Sequence, residues 1–332
     1  MSLNTATAPV QHVLRVWNRP WVRVGIIGAL AVIAIVLYMT LGVRGNWGFV
    51  LPFRGRKVLA IMVVATAIAI STVMFQTVTN NRILTPSIMG FDALYLLIQT
   101  LSVFVLGAMN FALINPLLRF GIEVVLMVLF AGTLFWWLFV KSNKSLHLLV
   151  LVGIIFGIMF RSFNNMLQRM LDPVEFAVLQ DATFANFSTI DQTLLWISII
   201  IVGTAGFLLW RKHPEFDALA LGRDTSVSLG VDYRKVVMLV LAVVTVLVSV
   251  ATALAGPVTF FGLLVANLAY ALVNSPWHRH VLPAAALLAV LALVGGQVLL
   301  ERVFMFDTSL SVIIEFVGGL VFIGLLMRGL VR

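Results

Sequence analysis

Residues 56–94 read "RKVLAIMVVATAIAISTVMFQTVTNNRILTPSIMGFDAL". After the two leading cations, the stretch 58–78 stays apolar for about the 20 residues that a helix needs to cross a bilayer. It then breaks at Asn80 and Asn81, passes through Pro86 and Gly90, and turns apolar again from residue 91. A run of this kind in lipid must be a helix, because a lone strand would leave its main-chain groups unpaired. The stretch therefore reads as one membrane span, a polar connection and the start of a second span.

The rest of the chain repeats the pattern. It has 332 residues, 61% of them hydrophobic and 11% charged, with a mean hydropathy of +1.09. Ordinary globular chains carry roughly 25% charged residues, so a soluble domain is excluded. The expected fold is an all-α integral membrane protein, a single transmembrane domain over residues 1–332. About ten spans are expected, at 24–41, 58–78, 91–113, 120–140, 146–168, 192–210, 236–255, 258–274, 281–300 and 309–327. No other segment is long enough to bury a soluble core of its own. No small-residue cleavage motif follows the first apolar run, which is read as a retained helix after a cytoplasmic segment at 1–22. Cysteine is absent, which rules out disulfides, thiol catalysis and cysteine-held metals.

An even span count puts both termini on one side. With the N-terminus inside, the inner segments hold Arg15, Arg19, Arg23, Arg82, Lys141, Lys144, Arg211, Lys212, Arg223, Arg234, Lys235, Arg279, Arg328 and Arg332. The outer loop at 171–191 is acidic, with Asp172, Glu175, Asp181 and Asp191. This agrees with the excess of basic residues found in cytoplasmic loops. Arg44, Arg54, Arg56 and Lys57 break the rule, so either the count is off there or those cations have a task.

One inner connection is long: "HPEFDALALGRDTSVSLGVDYRK", residues 213–235. It reads as two short helices. Pro214 suits a first helical position, Glu215 and Asp217 suit a helix N-terminus, and Gly222 is a stop signal. Asp224 or Thr225 can cap a second helix, which Gly230 ends. Phe216, Leu219 and Ala220 share one face. Helices this short are unstable alone in water. They either lie on the protein's own surface, which composition alone favours, or are covered by something else.

The sequence offers little chemistry. It lacks GxxxxGK[ST], HExxH and GxSxG patterns, so ATP hydrolysis and the common hydrolytic activities have no carrier. His278 and His280 flank Arg279, a weak pointer to metal. Gly153 and Gly157 permit close helix packing. Charged groups inside spans are costly and count as functional candidates. Asp92 and Glu123 lie near span ends, where water or headgroups are expected to reach them. Arg161, followed by Asn164 and Asn165, is expected to face a polar cavity or the helix bundle, and Glu315 completes the set.

Three segments in order resemble the permease subunits of ABC importers for iron–siderophore complexes and vitamin B12, the iron-chelate or FecCD-like family. Residues 56–94 are similar to the family's second helix and its Asn-Pro-Leu-x-x-Pro-x-x-x-Gly loop. "ALALGRDTSVSLGVD", 218–232, resembles its Leu-Gly-x-x-x-x-x-x-Leu-Gly-Val segment, and "LAGPVTFFGLLVANLAYALV", 254–273, its Ala-Gly-Pro-x-x-Phe-x-Gly-Leu stretch. The resemblance implies ten transmembrane helices per subunit, two subunits around a central path, and a bacterial cytoplasmic membrane location. It implies no cofactor in this chain, with ATP and magnesium on a separate ATPase dimer.

The resemblance also assigns tasks. The connection between the sixth and seventh spans becomes the ATPase-coupling element: Phe216, Asp217, Leu219, Ala220, Leu221, Gly222, Arg223, Ser228, Leu229 and Gly230. Its Phe216/Leu219 face is expected to fill a groove on the ATPase. Arg54, Lys57 and, more loosely, Arg302 match cations that dock the extracytoplasmic binding protein. Asn80, Asn81, Pro86, Gly90, Arg161, Asn164, Gly256 and Pro257 are candidates for the translocation path.

Three departures stand out. Asn-Pro-Leu is Asn81, Arg82, Ile83 here, Pro-His is Ala266, Asn267, and a later Arg is Tyr270. They resemble one member of a heterodimeric permease pair, as in catecholate-siderophore importers of the petrobactin type. A vitamin B12 or haem importer of the same family is the alternative in cargo. An ion-coupled secondary transporter and an intramembrane enzyme are the alternatives in class.

Overall fold

The computed structural model describes residues 19–43, 45–141, 146–183, 187, 190–305 and 308–327. Arg15, Arg44, Lys144, Arg328, Arg332 and most of the segment 1–22 lie outside them. The described regular elements are helical: α1 Pro20–Thr40, α2 Trp47–Thr79, a 3-10 turn Pro86–Met89, α3 Phe91–Leu113 and α4 Pro116–Phe135. There follow α5 Leu146–Gln168, α6 Pro173–Thr183, α7 Gln192–Arg211, α8 His213–Leu219 and α9 Arg223–Ser228. The last four are α10 Tyr233–Ala255, α11 Phe261–Val273, α12 His278–Arg302 and α13 Leu310–Met327.

Eight of these helices are long and apolar enough to span a membrane, and two shorter apolar helices, Phe261–Val273 and Leu310–Gly324, occupy the remaining expected places. α2, α10 and α12 form the centre, with 67%, 67% and 61% of their most apolar windows buried against 22–33% for the other five. Small residues let α2 sit there: Ala60, Ala65, Ala67 and Ala69 are all buried.

Two boundaries differ from expectation. α2 begins at Trp47, so Arg54, Arg56 and Lys57 lie in its first turns and not in a loop. Asn46 caps this start, its Oδ1 accepting from the Gly48 N–H at 2.9 Å, as capping residues do. The cluster of cations and Pro52 masked the helix from a hydropathy reading. The acidic stretch 171–191 also contains a helix, α6, whose Leu179 is buried with Val103 and Phe111.

The break after α2 is built by backbone conformation. Asn80 ends the helix in the left-handed region at φ 48°. The chain crosses to Pro86, which starts the 3-10 turn, and Gly90 at φ 90° redirects it into α3. A Cβ on Gly90 would stand 2.8 Å from the Gly157 Cα, and one on Gly153 would stand 3.0 Å from the Met89 Cβ. The Gly153/Gly157 pair is thus the seat of this turn on α5.

Candidate functional site

The connection between α7 and α10 folds as its punctuation dictates. Pro214 lies in the first turn of α8, Gly222 turns the chain at φ 96°, and Gly230 releases it at φ 84°. Lys212 Nζ meets Glu215 Oε1 at 2.7 Å across the first turn. In α9, Ser226 Oγ donates to the Arg223 carbonyl at 2.8 Å and Ser228 Oγ to that of Asp224 at 2.9 Å. Arg223 lies over the Tyr233 ring.

One expectation about this insert is corrected. Phe216 and Leu219 are 0% and 1% exposed and belong to the chain's own core. Phe216 sets its ring edge-on to His278, with centroids 6.1 Å apart. A seven-residue helix cannot hold itself together in water, and it spends its apolar face on self-packing. Ala220, Leu221, Val227 and Leu229 are exposed instead.

Asp217 fastens the insert to α12. Its Oδ1 accepts from the His278 main-chain N–H at 2.8 Å and lies 2.7 Å from His278 Nδ1. Burial alone would raise the Asp217 carboxyl, but the hydrogen bonds from His278 outweigh it and hold the group below its ordinary range. His280 is engaged elsewhere, with Nδ1 2.9 Å from Ser275 Oγ. Among the described residues no three His, Cys, Asp or Glu side chains gather as metal ligands.

The three departures from the family pattern meet in space. The Arg82 guanidinium lies 4.5 Å from the Tyr270 ring centroid. The Arg82 carbonyl accepts from Asn267 Nδ2 at 3.0 Å and from Gln76 Nε2 at 2.7 Å. Asn81 Oδ1 accepts from the Ile83 N–H at 2.9 Å, tightening the loop. A cavity of about 780 Å³ lies between this loop and the insert, lined by Gln76, Asn80, Arg82, Asp217, Tyr270 and His278 among others.

The path candidates divide by exposure. Asn80, Asn81 and Arg161 are exposed and Pro257 is half-buried, while Pro86, Gly90, Asn164 and Gly256 are buried. Asn164 is corrected as a lining residue: its Oδ1 accepts from Thr100 Oγ1 at 2.5 Å inside the α3–α5 packing. Pro86 and Gly90 serve the turn, and Gly256 ends α10 at φ 88°.

Asp92 and Glu123 are buried, not reached by water or headgroups. Asp92 Oδ2 is buried without a hydrogen-bond partner. Glu123 accepts from Gln99 Nε2 at 2.7 Å and from Arg119 Nε at 2.9 Å, and Arg119 also donates to Gln99 at 2.8 Å.

The cations read as docking groups divide by exposure: Lys57 is buried, Arg54 half-buried and Arg302 exposed. Lys57 is 6% exposed and lies 3.3 Å from Glu301, so it is corrected to an internal ion pair. Glu301 also accepts from Tyr38 at 2.9 Å and Gln297 at 2.9 Å. Arg54 donates to the carbonyls of Tyr38, Met39 and Leu41 at 2.8, 3.2 and 2.9 Å, closing the C-terminus of α1. Arg302 donates to the Leu41 carbonyl as well. Sequence reasoning missed Glu301, and its one signal was a carboxylate at the end of an apolar run, on the same side as the unexplained cations.

Comparison with known proteins places this architecture. Residues 24–328 match the FecCD transport family. The chain is 45% identical to the petrobactin import system permease protein YclO of Bacillus subtilis, over 93% of this chain and 98% of the relative. It is 33% identical to the petrobactin import system permease protein FatC of Bacillus anthracis, over 89% and 88%. The fold superposes on a metal-chelate type ABC transporter in an inward-facing conformation with a TM-score of 0.81 at 19% identity, covering 93% of this chain and 99% of the other. From its spans, its two-helix insert and these matches, the chain belongs to the FecCD transport family, the iron-chelate permeases of ABC importers, and is a membrane permease, not an enzyme.

Proposed function

We propose that this chain is one permease subunit of an importer for ferric siderophore of the petrobactin class, working by alternating access. The observation that carries the reading is 45% identity over 98% of the length of a petrobactin permease. Nucleotide and magnesium belong to a separate ATPase dimer, which stabilises one of two states of the permease by differential binding. The exposed Ala220, Leu221, Val227 and Leu229 are the apolar side of the insert left for that ATPase. On this reading the insert and both termini lie in the cytoplasm. A second, different permease completes the path, with Arg161 and the Asn80–Asn81 loop at its walls. The partly exposed Arg54, together with Arg56 and Arg302, steers the extracytoplasmic binding protein, a role sensitive to salt.

The test is purification of the tagged chain in mild detergent from iron-starved cells, with stoichiometric partners identified, beside uptake of radiolabelled ferric petrobactin. An ATPase and a second permease, with uptake abolished by loss of the ATPase, is the expected result. Uptake that survives that loss and collapses with the ion gradient would replace this reading with a secondary transporter.

A further inference from the structure

A chain of hydrogen bonds runs from the insert to the last turn of α2. Asp217 on α8 holds the main-chain N–H and Nδ1 of His278, at 2.8 and 2.7 Å. On the other side of the ring, Nε2 meets Thr77 Oγ1 at 2.7 Å. His278 is 1% exposed, and its neighbour Phe216 presses on the ring from α8. Such shielded polar bonds are costly to break, because a buried group left unmatched loses its bond with no water to replace it. α8 and α2 are therefore tied through one imidazole, gripped by two consecutive residues of the insert.

Thr77 is placed to pass a displacement on. The Asn80 N–H that closes α2 is shared between the Gln76 and Thr77 carbonyls. Gln76 also holds the Arg82 carbonyl of the loop. The cavity between insert and loop leaves the loop space to shift. Gln76 Oε1 is buried without a hydrogen-bond partner in this conformation, an acceptor open to a different arrangement of the same loop.

We propose that His278 is a positioning residue for transport, transmitting movement of the insert to the end of α2 and the loop 80–85 through Asp217 and Thr77. This rests on the reading that the insert receives an ATPase. Without the Asp217–His278 hydrogen bonds and the Thr77 hydroxyl, ATP would still be hydrolysed, but the loop would not follow.

The experiment uses the complete importer in lipid vesicles, measuring ATP hydrolysed and ferric siderophore imported in the same sample. Thr77→Val removes the hydroxyl at constant volume. It removes the bond to His278 together with the hydroxyl's bond to the Val73 carbonyl in its own helix, and is expected to leave ATP hydrolysis within about twofold while import per ATP falls about tenfold. Thr77→Ser restores the hydroxyl and is expected to restore the ratio, which a packing role would not do. His278→Gln, which reaches Thr77 but not Asp217, is expected to uncouple in the same way. An unchanged ratio in both Thr77→Val and His278→Gln overturns the proposal. So does a parallel fall in hydrolysis and import with loss of bound ATPase, which would make the bonds supports of the insert alone. Failure of the unmodified chain to capture any ATPase is a different result, and refutes the function on which the proposal rests.

Discussion

Gly90→Ala tests the turn that aims α3. Two independent penalties apply at this position. Its φ of 90° lies where a side chain is strained, at about 1–2 kcal/mol. A Cβ there would also stand 2.8 Å from the Gly157 Cα, and overpacking against backbone adds about 1–3 kcal/mol. The expected destabilisation is roughly 2–5 kcal/mol. Gly157→Ala carries only the second penalty, since its Cβ would stand 3.0 Å from the Gly90 Cα in an ordinary helix. It also gains about 1 kcal/mol of helix propensity, leaving roughly 0–2 kcal/mol. Gly203→Ala meets nothing within 4 Å and should be neutral or slightly stabilising. The assay is the fraction of monodisperse protein surviving graded heating in detergent, a rank measurement suited to irreversible unfolding. The expected order is Gly203→Ala, Gly157→Ala, Gly90→Ala. Gly90→Ala matching Gly203→Ala would refute the close approach of the turn to α5.

Other outcomes separate self-packing from partner contact. Leu221→Asp or Leu229→Asp should abolish ATPase capture with normal yield, while Phe216→Asp should lower yield itself, by the roughly 3–5 kcal/mol of losing a buried aromatic; co-purification against expression level reads both. Glu301→Gln leaves Lys57 buried without its carboxylate and should destabilise by about 3–5 kcal/mol, whereas Lys57→Met with Glu301→Leu should recover most of the loss in thermal survival. The Asp217 carboxyl lies below its ordinary range, so its bonds to His278 stabilise above about pH 4 and are lost as pH falls through the depressed value. The survival difference between the unmodified chain and Asp217→Asn should be full at neutral pH and shrink below about pH 4; a difference that grows on acidification would contradict the assignment.

Much of the architecture is legible in the sequence because bilayer length and main-chain satisfaction leave few options. Runs such as 236–255 could only be helices, and Gly222 and Gly230 bracket the second insert helix where they were expected to. What stayed hidden depends on long-range partners. A lysine in a cationic cluster reads as exposed until Glu301, far along the chain, is seen beside it. Phe216 and Leu219 show an apolar face, but periodicity does not say whether that face turns to the chain or away. Arg82, Asn267 and Tyr270 read as three separate departures from a pattern, and only the fold shows that they adjust to one another.

The end of α1 bears on how such a chain is made. Its last carbonyls are not closed by their own helix but by Arg54 and by Arg302, the latter 261 residues away from Leu41. During synthesis the first span enters the bilayer long before its final clasp has been translated. Until α12 arrives, the C-terminal end of α1 has Arg54 and water to quiet its carbonyls. A helix inserted well before α12 is thus finished only with it, and a ribosome stalled before residue 302 would hold an α1 whose end is still unlatched.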